Sequence, residues 1–162
     1  MAVAFRADTG RARAGSRAIR ADAARILRAL GYARCELSVA IVDDAGIRRL
    51  NRTFRGKDRA TDVLAFSQLE ERGAPPPDPA AIKNDDATIL GDVVISIDTA
   101  AAQARELRVA LRARIRALLI HGVLHLVGYD HERSRSDALL MRARERELAA
   151  MFAKSRARGA AR

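Results

Sequence analysis

At 162 residues, with 49% hydrophobic and 31% charged residues, the chain is long enough to pack one domain and needs no disulfide or metal staple to do so. The formal charge of +10 favours a polyanionic partner, but nearly all of it is arginine beside abundant alanine, a pattern that coding bias alone produces, so charge decides little by itself. The single cysteine, Cys35, excludes an internal disulfide and fits a reducing compartment. No signal-peptide-like run opens the chain, and the most apolar stretch, 117–128, is too short to cross a bilayer. A cytoplasmic protein with no membrane partner is predicted.

In chain order, residues 2–6 read as a short strand. Ile19, Ala23, Ile26, Leu27 and Leu30 then recur at helical spacing over 16–30, closed by Gly31. Residues 36–42 alternate with β-branched side chains. Asp44 is the expected cap of a helix running through Ile47, Leu50 and Phe54, and a loop at 56–60 follows. Strands are predicted at 61–66 and 92–97, separated by a loop, 72–86, that holds all four prolines. A helical pattern covers 99–127 with a break near 107–109. A last helix starts at Ser134, where Ser134 and Asp137 have capping-box spacing. The expected fold is α+β, a small mixed sheet of about four strands packed on about five helices. One domain covers 1–153, and the basic stretch 154–162 lacks apolar periodicity and is predicted to fray.

All three histidines fall within His121-Gly-Val-Leu-His125-Leu-Val-Gly128-Tyr-Asp-His131. Four apart on a helix, His121 and His125 project from one face, about one turn apart. Gly128 is suited to end that helix in a left-handed turn and return His131 to the same point. Three neutral imidazoles with an open fourth position are the donor set of a catalytic zinc site; a structural site would want a fourth ligand, and Cys35 is remote in sequence. The spacing matches that of the metzincin proteases, but their catalytic glutamate after the first histidine is here Gly122, which has no side chain to move a proton. Peptide hydrolysis by that route is disfavoured.

Two upstream blocks accompany the histidines: Asn51-Arg-Thr-Phe-Arg55-Gly-Lys-Asp58-Arg-Ala-Thr61-Asp62-Val-Leu-Ala-Phe66 and Gly91-Asp92-Val-Val-Ile-Ser96. With His121 to Glu132, in this order, they resemble the YbeY family of bacterial rRNA-maturation endoribonucleases. The chain departs from the family pattern at Ala65 and at Ser67-Gln68, and 105–116 is unusually basic. The resemblance implies a zincin-like fold, one zinc ion on His121, His125 and His131, and single-strand cleavage in 16S rRNA maturation and ribosome quality control. It also implies Arg55 and His121 as catalytic residues. The implied partners are ribosomal RNA, the small ribosomal subunit, a small-subunit ribosomal protein and a ribosome-assembly GTPase. Guanidinium chemistry fits the role of Arg55, because the group stays charged and grips two phosphate oxygens at once.

Asp62, Asp92 and Asp130 are candidates to orient an imidazole, with structure favoured for Asp62. Tyr129 and Phe54 are candidates to stack on a base, with a core role favoured for Phe54. Two rival readings remain open: a zinc-stabilised ribosome-assembly factor that binds RNA without cutting it, and a divergent zinc peptidase.

Overall fold

Alternation along the strands sorts the apolar residues into two layers. The computed structural model describes residues 3–7, 15–68 and 88–160, of which 154–160 are described by backbone alone. The prolines of 72–86 lie outside the described residues. Four strands, β1 (Val3–Ala7), β2 (Glu36–Val42), β3 (Val63–Ser67) and β4 (Ile89–Ser96), form a sheet in the order β1-β2-β4-β3. The β1–β2 and β2–β4 pairs are parallel and β3–β4 is antiparallel. Leu37, Val39 and Ile41 of β2, with Val93 and Ile95 of β4, enter the main core, whereas Val42 and Val94 enter a smaller cluster with Ile47 and Leu64.

Five helices cover the described remainder: α1 (Ser16–Ala29), α2 (Asp44–Arg55), α3 (Ile97–Glu106), α4 (Leu111–Leu126) and α5 (Arg135–Ala160). The smaller cluster seats α2 on one face of the sheet; α1, α4 and α5 share the main core on the other. Leu118, Leu119, Ile120, Val123, Leu124 and Leu126 are all buried, so α4 is apolar nearly all round. It has the sheet on one side and α1, α3 and α5 on others. No helix among the described residues is long and apolar enough to cross a membrane.

The fold class agrees with expectation, and several boundaries shift for identifiable reasons. The α2 cap is Asp43, whose carboxylate accepts from Gly46 N at 2.7 Å; Asp44 is the first helical residue. Released from capping, Asp44 accepts from the hydroxyls of Ser96 and of Thr99, the latter at 2.7 Å, and ties the start of α2 to the start of α3. Those hydrogen bonds hold its carboxyl below the usual range. Ser96 itself caps α3, accepting from Thr99 N at 3.2 Å, so Ile97 opens a helix instead of ending a strand. The predicted break separates α3 from α4 at Arg108, the one non-glycine described residue with positive φ, at 54°. The backbone of α5 continues as helix to Ala160, into the stretch expected to fray.

Candidate metal centre

Two structural decisions bring the histidines together. The first is the seating of α4, which presses Gly122 against the sheet, where an added Cβ would lie 2.7 Å from Val93 Cγ1. The second is Gly128, which takes φ 91°, while Gly128 N donates to His125 O and Tyr129 N to Leu124 O, closing the helix and reversing the chain. As a result the ring centroids lie 4.7 Å apart for His121 and His125, 5.1 Å for His125 and His131, and 5.3 Å for His121 and His131. One nitrogen from each ring falls within 4.8 Å of the others.

The Nε2 atoms of His121 and His125 face each other at 3.2 Å. Two nitrogens at about 2.0–2.1 Å from a tetrahedral zinc would be separated by about 3.4 Å, so the pair fits ligands sharing one ion. Burial pushes the His125 ring down to about 4, helped by the neighbouring His121 and His131 and by Arg55, against the opposing charge of Asp130. At neutral pH His125 is therefore an uncharged imidazole, the form in which a histidine ligates a metal. Cys35 is buried in the main core, outside this cluster, and burial pushes its thiol up.

Because the His125 ring titrates below the ordinary value of 6.5, the unfolded chain takes up a proton more readily than the folded one. The stability contributed by the neutral ring is fully present above pH 6.5 and is lost as pH falls toward 4. Zinc-free protein is expected to melt at progressively lower temperature across that window, and a His125→Ala variant to show a flatter profile there. Asp44 gives the same sign, but its contribution is lost only below its ordinary value of 3.8. Thermal melts at stepped pH separate the two; a His125→Ala profile as steep as that of the wild type between pH 6.5 and 4 refutes this assignment.

Arg55 closes the other side of the cleft, whose lining also includes Thr61, Val63, Ala65, Asp130 and Glu132. It is the last residue of α2, and Gly56, at φ 66°, ends the helix directly after it. The loop that follows is braced: buried Asn51 donates to Arg59 O at 2.8 Å, and Arg48 grips both carboxylate oxygens of Asp58 at 2.8 and 3.0 Å. Among the described residues Arg55 has no hydrogen-bond or ion-pair partner, which leaves a fixed-charge guanidinium facing the triad.

The carboxylate candidates separate clearly. Asp62 is occupied by structure, accepting from Val63 N at 2.9 Å and from Gln103 Nε2 at 3.1 Å, with Arg114 at 3.5 Å. Asp92 pairs in register with Phe66 on the side of the sheet that carries Val94, away from the triad, and accepts from Gln68 at 3.2 Å. Asp130 lines the cleft, yet its oxygens accept from Glu132 N at 2.8 Å and from Arg133 at 3.2 Å, which brace the turn. Tyr129 packs partly buried against the main core. Phe54 corrects the expectation of a core role: it is 64% exposed, edge-on to Phe66 at 5.1 Å, where among the described residues the sheet ends at β3.

One polar neighbour of the triad was not anticipated. Glu145 of α5 places Oε1 2.7 Å from His121 Nδ1. A signal for it exists in the sequence, since Met141, Glu145, Leu148 and Phe152 form one helical stripe in which the other three side chains are buried and apolar.

The family model for the endoribonuclease YbeY matches residues 9–153. The chain belongs to the YbeY family. Among curated relatives, the endoribonuclease YbeY of Geobacter sulfurreducens is 48% identical over 140 residues, which cover 85% of this chain and 87% of the relative. That of an Anaeromyxobacter species is 47% identical over 149 residues, 92% of this chain and 71% of the relative. A solution structure from Thermotoga maritima superposes with a TM-score of 0.64 at 23% identity, covering 96% of this chain and 93% of that one, and so shares the fold. The family resemblance carried by the three sequence blocks is borne out, and with it membership of a family of nucleases.

Proposed function

We propose that this YbeY-family member is a zinc-dependent, single-strand-specific endoribonuclease that acts in the cytoplasm on 16S rRNA and in ribosome quality control. The observation that carries the reading is the opposition, across one cleft, of three converging imidazoles and an arginine that has no partner among the described residues. His121, His125 and His131 would hold the zinc, which when bound supplies Lewis acidity to a phosphoryl oxygen and an acidified water. Arg55 meets the negative charge that grows on the phosphoryl oxygens, through two parallel hydrogen bonds. The formal charge of +10 favours the approach of a polyanion. The proposed partners are the small ribosomal subunit, one of its proteins and a ribosome-assembly GTPase.

Incubating the purified chain with rRNA precursors tests this. A chelator is expected to abolish cleavage, and zinc to restore it. Arg55→Ala is expected to lower the rate by roughly 100- to 1,000-fold, the usual cost of losing one preorganised transition-state donor, while zinc affinity stays unchanged. Cleavage that survives both the chelator and the substitution overturns the proposal. A zinc-loaded chain that binds the precursor without cutting it would mark an assembly factor. Ends bearing a 2′,3′-cyclic phosphate would assign the first attack to the RNA's own hydroxyl instead of water.

A further inference from the structure

Glu145 is a charged residue on a helix face that otherwise enters the core: Met141 is 1% exposed, Leu148 2% and Phe152 6%. Placing a carboxylate there costs desolvation unless a partner compensates it. The compensation is His121 Nδ1 at 2.7 Å, both side chains being about 30% exposed. Among the described residues no other side chain from outside the triad hydrogen-bonds a ring nitrogen of any of the three histidines.

A carboxylate only accepts, so His121 must donate from Nδ1, and the ring is held as the tautomer whose lone pair lies on Nε2. That Nε2 is the atom facing His125 across 3.2 Å. We infer that Glu145 is a positioning residue that fixes the tautomer and orientation of His121, so that its free nitrogen is aimed at the metal position before any ion arrives. The inference rests on the zinc reading proposed above. Its mount is rigid, because the buried residues on either side of Glu145 lock α5 onto the main core. Freed from the carboxylate, His121 would populate the other tautomer, whose Nε2 carries a proton that an incoming ion must displace.

The test compares wild type, Glu145→Ala and Glu145→Gln. Zinc affinity is measured by competition with a chromogenic chelator, zinc-free melting by calorimetry, and the His121 tautomer by long-range ¹⁵N–¹H correlation spectra of zinc-free protein. Glu145→Ala is expected to weaken zinc binding by roughly 10- to 100-fold, the usual range for losing such a partner. Glu145→Gln keeps an acceptor oxygen and should recover most of that loss. The wild type and Glu145→Gln should show a protonated Nδ1, and Glu145→Ala a mixture of tautomers.

Glu145→Ala that folds and binds zinc within twofold of wild type overturns the inference. So does a protonated Nε2 on His121 in the zinc-free wild type, a result that needs no variant to fold. Failure of the wild type to bind zinc at all overturns the metal reading, and this inference with it, whereas zinc binding that is indifferent to Glu145 overturns the inference alone.

Discussion

Replacing His125 with alanine is expected to abolish zinc-dependent stabilisation and to bring RNA cleavage down to background, while the zinc-free chain still folds. His125 is the central member of the triad: its Nε2 stands 3.2 Å from that of His121 and its ring centroid 5.1 Å from that of His131. Its ring is neutral at pH 7, the form that ligates a metal. Deleting it leaves two donors, and the loss of affinity should exceed the roughly 10- to 100-fold that an outer partner costs. An ion present at a hundred times its dissociation constant stabilises the folded state by about 2.7 kcal/mol. For a domain of this size that raises the melting temperature by roughly 5–10 °C. Wild type should show this rise on adding zinc and His125→Ala should show almost none, with zinc-free melting points within a few degrees. Equal zinc-induced rises in both proteins would mean that the ion binds elsewhere, and would remove the basis for a catalytic metal at the triad.

What the sequence made legible follows from which interactions are local. The His121–His125 spacing and the Gly128 reversal are set within one helix and its first residues beyond, so periodicity and glycine chemistry were enough to anticipate them. The break at Arg108 showed as an interruption of the apolar pattern. Harder were positions where neighbours compete or where a distant element decides. Asp43 and Asp44 are equally able to cap, and the choice is made by Ser96 and Thr99, more than fifty residues away. Phe54 continues the apolar spacing of α2, but among the described residues the sheet beneath it ends at β3, a fact of strand order that periodicity does not contain. Glu145 falls on the apolar stripe of Met141, Leu148 and Phe152, but the alternating arginines and glutamates around it mask that spacing. Only the packing of α5 on α4 turns it toward His121.

The packing demand on Gly91 was equally hidden, since the sequence marks it merely as a strand boundary. Gly91→Ala is expected to destabilise the fold by about 3 kcal/mol or more. The residue takes φ 140°, a conformation that side chains rarely adopt, and an added Cβ would lie 2.1 Å from the backbone oxygen of Phe66. The obstacle is main chain, held in the β3–β4 ladder where Gly91 pairs with Ser67, so relief means pulling the strands apart. That ladder carries Val63 and Ala65, which line the cleft, so the site should loosen along with the sheet. Gly122→Ala is the informative contrast. Its Cβ would meet the Val93 side chain at 2.7 Å, a typical overpacking cost of about 1–3 kcal/mol. Against that stands the gain of about 1 kcal/mol for alanine over glycine within a helix. At roughly 2–4 °C per kcal/mol for a domain this long, Gly91→Ala should melt on the order of 10 °C lower and Gly122→Ala only a few degrees lower. Calorimetry that ranks them the other way would mean that the β3–β4 ladder yields more easily than the α4 contact, and that the cleft wall is not held by that strand pair.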